Sequence, residues 1–162
     1  MNDFLPEGYV TPTSNNGYMK FAKGENKFRF ITSPITGYVW FVDNGDSKSV
    51  FRARMTDPLP HASLKAKHFW AALVYNYDTL AFQILEITQK TIMAQISNLN
   101  ANKSWGNPKD YDLIVVRTGD GMETEYNVMP EPKSEQPIGS VKFANEINLE
   151  ALFEGGDPFE AK

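Results

Sequence analysis

Six cations and a set of interleaved rings are the residues of this chain that could do chemistry. Lys27, Arg29, Arg52, Arg54, Lys65 and Lys67 fall in one stretch, with Tyr38 and Trp40 among them and Tyr75 and Tyr77 just beyond. Cations that meet phosphates release counterions, which makes binding salt-dependent. Aromatic faces stack on unpaired bases for roughly 1–3 kcal/mol per base, whichever base it is. Together these are what a binder of single strands needs. At strand spacing Arg52 and Arg54 share a face, and Lys65 and Lys67 share one if their strand begins early. Tyr38 and Trp40 are favoured as exposed stackers, with burial in the core as the other assignment. Trp105, beside Lys103 and Gly106, either stacks on a base or seats its loop on the domain. Arg117 either contacts phosphate or pairs with Glu123 or Glu125 across a hairpin.

Catalytic chemistry is harder to assemble. A nuclease would need the carboxylates Asp110, Asp112, Asp120, Glu123 and Glu125 to converge on metal ions. Asp120 lies in a Gly-Asp-Gly turn, and Glu123 and Glu125 alternate along a strand as solvent-facing acids do. The same turn lacks the lysine of a phosphate-binding loop. There is no cysteine, and the histidines are His61 and His68. The chain therefore reads as a binder rather than an enzyme, with no cofactor and no metal.

The elements that must position these residues belong to one domain. The chain has 162 residues, of which 41% are hydrophobic and 22% charged, enough for a core of its own. No apolar run approaches the roughly 18 residues of a membrane span. The first residues carry acids and no apolar segment of a signal peptide, so a cytoplasmic location is expected. The net charge of −4 is unevenly placed. Residues 20–67 hold nine bases and four acids, residues 68–130 four bases and seven acids, and residues 131–162 three bases and seven acids. A basic half followed by an acidic end suggests an anionic partner for the first.

Period-two alternation predicts strands over 26–33, 36–42 and 49–55, then over 67–77 and 80–87. Asn44–Gly45 reads as a hairpin turn. Residues 56–66, with two prolines, read as a loop. The period then changes. Ile92, Ile96 and Leu99 mark one face of a helix over 88–102, with Thr88 as its N-cap. Strands follow over 112–118 and 122–130. The principal strands number five, with one helix between the third and fourth. That order fits an OB-fold, a partly open Greek-key barrel. Other small barrels remain open on periodicity alone.

The segments "KHFWAALVYNYDTLAFQILEITQKTI" and "WGNPKDYDLIVVRTGDGMETEYNVMPEPK" resemble the single-stranded DNA-binding proteins of tailed bacteriophages and prophages. "NKFRFITSPITGYVWF" is similar to that family's opening strand pair. The resemblance spans about residues 24–133. It implies an OB-fold over residues 1–130, binding to single-stranded DNA without sequence preference, and a role in replication, recombination or repair. The zinc site of some related phage proteins is not carried over, since cysteine is lacking.

Residues 131–162 read as a linker and an acidic C-terminal tail. Glu150, Phe153, Glu154, Asp157 and Phe159 surround Gly155–Gly156. Such a tail could occupy the basic groove, or dock on a DNA polymerase, helicase or recombinase with a phenylalanine as anchor. The other assignment is a short helix of Leu149, Leu152 and Phe153 packed on the domain. A second copy of the chain, and a protein-interaction module on the same barrel, stay open as further readings.

Overall fold

A computed structural model of the chain describes residues 4, 17–43, 45–57 and 65–159. Asn44, His61 and the rest of 58–64, and the tail's tip at 160–162, lie outside the described residues. Eight strands form one mixed sheet: β1 (Tyr18–Met19), β2 (Gly24–Phe30), β3 (Ile35–Asp43), β4 (Lys48–Arg54), β5 (Lys67–Asn76), β6 (Ala81–Ile87), β7 (Tyr111–Thr118) and β8 (Glu125–Lys133). Helix α1 (Lys90–Ala101) stands between β6 and β7. Helix α2 (Ser140–Glu146) and a 3₁₀ segment (Leu149–Glu154) follow β8. No helix of the described residues is long and apolar enough to cross a membrane.

β2 and β3 act as one long bent strand. Phe28 pairs with Asn76 and Phe30 with Val74 of β5. Beyond Pro34, Ile35 pairs with Ala71 and Val39 with Lys67 of the same strand. The offset changes around the proline, which cannot donate a ladder bond. On its other edge the bent strand pairs with β7 through β2 and with β4 through β3. β5 also pairs with β6, β1 adds to β6 in parallel, and β7 pairs with β8.

The mainly β architecture with one helix before the last hairpin is as expected, but the sheet is open. Among the described residues β6 and β8 are not joined. The β6 edge takes β1 instead, and α1 stands at the edge of β8. There Gln95 Nε2 donates to the Tyr126 carbonyl (3.0 Å) and its Oε1 accepts from Val128 N (2.8 Å). A side-chain amide thus satisfies backbone groups that a neighbouring strand would otherwise take.

One core lies between the sheet and α1, around Phe28, Val74, Leu85, Ile92, Leu113 and Val115. Ile92 and Ile96 are buried as their spacing predicts, and Leu99 is half-buried. The N-cap position belongs to Gln89 rather than Thr88 and makes no side-chain cap bond.

The C-terminal residues depart most from expectation. Strand β8 runs through Pro130 to Lys133, so a boundary at 130 falls inside it. Prolines are tolerated there because β8 is an edge strand. The expected linker and loose tail instead fold back. Ile147, Leu149 and Leu152 are buried in a second core with Phe69, Ala71, Leu73 and Ile84, on the sheet face opposite α1. Burying one such side chain is worth about 1.5–3 kcal/mol, which is what holds the segment down. Gly37 admits it closely: a Cβ there would run into the Ala53 carbonyl and lie 2.8 Å from the Phe153 ring.

Candidate nucleic-acid interface

Most of the candidate cations are tied into the protein itself. Arg29 is wholly buried. Its Nε lies 3.0 Å from Asp112 Oδ1, in an ion pair rather than a well-aligned hydrogen bond. Its Nη2 donates to the carbonyl (2.8 Å) and hydroxyl (2.7 Å) of Ser134. Tyr77 donates to the same Asp112 oxygen (2.8 Å), and Lys27 sits 3.9 Å from the other oxygen and 5.0 Å above the Tyr77 ring. Burial, and then the Asp112 hydrogen bond, push the Tyr77 phenol up to about 12. Arg29, Lys27 and Tyr77 therefore surround a buried carboxylate. For Arg29 the position on an open phosphate-binding face is corrected, since a charge as buried as Asp112 requires a partner and Arg29 is wholly buried as that partner; Lys27 and Tyr77 lean on the same carboxylate and stay half-exposed.

Arg52 likewise holds Glu86 through Nε (3.1 Å) and Nη2 (2.8 Å), with its guanidinium 5.8 Å from the Phe69 ring centroid. Arg117 donates through Nη1 to the Phe21 carbonyl (3.0 Å), not to Glu123 or Glu125. Arg54 lies under the C-terminal segment, 3.2 Å from Glu150 and 3.9 Å from Glu154, with the Phe153 ring 4.8 Å away. Phe153 rests in turn against Phe69 at 5.9 Å.

The expected stacking rings are also mostly engaged. Trp40 is 7% exposed and stacks on Phe51 at 6.1 Å. Tyr38 packs its ring against His68, and Tyr75 sits against both Tyr77 and Phe82. Trp105 seats its loop, packing edge-on against Tyr111 and onto the core. Trp40 is covered by Phe51, its direct partner on β4, whereas Phe41 on the other face of β3 lies beyond the buried Val39 and is 63% exposed.

Lys65 and Lys67 remain exposed. Lys67 lines a groove of about 330 Å³ that also presents Lys20 and the rings of Tyr18, Phe21, Phe41 and Tyr126. The groove is bounded by β1 with the residues after it, β3, the start of β5, the end of β6, and β8. Lys20 and Lys67 are unpaired among the described residues. The carboxylate that lines the groove, Glu86, is neutralised by Arg52. Burial raises the Tyr18 phenol, Arg52 pulls it back, and Glu86 and Asp157 add to the rise. Phe159 touches Tyr18 edge-on at 5.9 Å, which brings the C-terminal segment to the groove's border. The Asp157 carboxylate accepts from Phe159 N (2.9 Å) and fixes that turn.

Of the twelve expected contacts only Lys67 lines this groove. Tyr18, Lys20, Phe21, Phe41 and Tyr126 were missed. Residues 18–21 are too short a stretch to carry a period, and choosing the opposite face of β3 points to Phe41. Among the described residues no group of three or more His, Cys, Asp or Glu comes together that could hold a metal ion. Comparison with family models, curated proteins and solved structures finds no match to this chain.

Proposed function

We propose that the chain binds single-stranded nucleic acid, DNA above all, without reading its sequence, and that it does so in the groove lined by Phe41 and Lys67. The observation that carries this reading is two unpaired lysines in one groove with the exposed Phe41 ring, beside Tyr18, Phe21 and Tyr126, of which Phe21 and Tyr126 pack on each other and on the core. Rings supply stacking that every base accepts, and lysines supply the phosphate contacts. The strand connectivity supports an OB-type reading. The long strand β2–β3 pairs with β5 and β7, β5 with β6, and β7 with β8, with α1 between the hairpins. Protection of unpaired strands in phage replication, recombination or repair, inside the host cytoplasm, goes with the family resemblance of 24–133. No catalytic step is assigned.

Recruitment of a polymerase, helicase or recombinase by the acidic end is part of the same proposal. Phe153, Glu150 and Glu154 are spent on Arg54 and Phe69, which leaves Asp157 and the 44%-exposed Phe159 as the contacts offered. The alternative of a protein-interaction module has in its favour the exposed Val50, Phe51 and Met55 on and beside edge strand β4.

The test is fluorescence anisotropy of a labelled oligo-dT titrated at several salt concentrations. Two lysine–phosphate contacts predict a slope of log K against log salt of about −1.4 or steeper. Absence of binding in dilute buffer would refute the reading and favour the interaction module.

A further inference from the structure

A second cavity, of about 300 Å³, lies between the β2–β3 bend, the last turns of α1 and the 3₁₀ turn at Pro108–Asp110. Its walls are flat and apolar: the half-buried Trp70 with the rings of Pro34 and Pro108. Its polar groups are Ser97, Asn100 and Asn107 on one side and the hydroxyls of Thr32, Ser33 and Thr36 along the bend. Neither Ser97 nor Asn100 makes a side-chain hydrogen bond among the described residues, so their donors and acceptors are free for a ligand. Asn107 spends its Oδ1 on Lys109 N (2.9 Å) and keeps its amide NH₂. Lys109 is the one charged residue of the lining, and no carboxylate faces the space.

This chemistry describes its ligand. Flat walls favour a planar ring, and the Asn100 carboxamide, with the Asn107 NH₂ as a further donor, offers a donor and an acceptor of the kind that match a nucleobase edge. A single cation without an opposing acid accepts a phosphate. The volume is at the small end of ligand pockets, which run from about 300 to 1,000 Å³. We infer that this cavity holds one nucleobase with its 5′-phosphate near Lys109, at a site separate from the Phe41–Lys67 groove. The base comes either from a free mononucleotide or from one residue of a bound strand.

The probes are thymidylate, adenylate, thymidine and inorganic phosphate, each titrated into the full chain and followed by tryptophan fluorescence and ligand-observed NMR. Ser97 and Asn100 are exposed on α1, so Ser97→Leu and Asn100→Leu fill the cavity without entering the core. Thymidylate and adenylate bind saturably in the millimolar range or tighter, thymidine binds more weakly, and each leucine variant weakens thymidylate by about tenfold, the equivalent of one lost hydrogen bond. If oligo-dT affinity is unchanged in both variants, the ligand is the free nucleotide. If it falls with thymidylate affinity, the ligand is a base of the strand. No saturable binding of either nucleotide, binding indifferent to both leucines, or phosphate alone competing as well as thymidylate overturns the site. Oligo-dT affinity of Phe41→Ala and Lys67→Ala, which line the groove and not this cavity, reports on the groove separately, so either reading can fail while the other stands.

Discussion

Phe41→Ala isolates the groove from everything else the protein does. The ring is 63% exposed, so truncation removes little buried area. Substitutions at such positions usually change stability by no more than about 0.5 kcal/mol. A base stacked on the ring would take about 1–3 kcal/mol with it, a roughly 5- to 150-fold rise in Kd for oligo-dT. The matched control is Phe51→Ala. Phe51 is 46% exposed on the same hairpin, next to the residue that pairs with Phe41, and its side chain points to the opposite face. Anisotropy titration of both variants, with thermal melts to verify folding, makes the comparison. Lys67→Ala, which alters the same wall, should flatten the salt slope by about 0.7. Unchanged affinity in Phe41→Ala, or an equal loss in Phe51→Ala, would refute the assignment of the groove.

Three further outcomes follow from the buried and tail contacts. Burial on folding, and then the hydrogen bond to Asp112, move the Tyr77 phenol from 10.0 to about 12. The stability this contributes is complete below pH 10 and is lost as pH rises towards 12; in Tyr77→Phe that alkaline loss should shrink, as followed by phenolate absorbance and circular dichroism. Asp112→Asn leaves the fully buried Arg29 without its counter-charge, and breaking such a pair costs about 3–5 kcal/mol. A urea midpoint close to that of the unmodified chain would contradict this, and the double variant Arg29→Met/Asp112→Leu should recover much of the loss. Glu150→Gln/Glu154→Gln frees Arg54 from two partly exposed pairs worth about 0–1 kcal/mol each, so oligo-dT should bind up to several-fold tighter at low salt and equally at high salt. Arg54 does not line the groove, so no change at low salt would mean that its freed charge does not reach the bound strand.

What the sequence shows depends on whether a signal is local. Alternation in 26–33 and 67–77 and the i, i+4 spacing of Ile92 and Ile96 are set by backbone geometry, and the strands and the helix formed where those patterns lie. Which face of a strand is inside is not local. Trp40 and Phe41 are neighbours of similar character, and only the packing of β3 against β4 and β5 decides between them. The fate of a charge is not local either. Arg29 and Asp112 are 83 residues apart in sequence, and nothing near Arg29 announces that its partner will be a buried carboxylate on β7. β1 was missed because two residues are too few for a period, although they decide what covers the edge of β6.

The C-terminal segment shows how one composition serves two readings. Counted by charge, residues 131–162 form an acidic tail. Placed on the sheet, their apolar members Ile147, Leu149 and Leu152 face inward and Glu150 and Glu154 face out over Arg54. Without the segment, the fully buried Phe69, Ala71 and Leu73 of β5 would lose the cover on that face of the sheet. An apolar strip of that kind on a central strand needs a lid, and the acids are the solvent side of the lid. Removing the segment outright would therefore damage the fold before it reported on any regulation. The informative changes are those confined to its outer charges and to Phe159, whose ring meets Tyr18 where the segment and the groove share a wall.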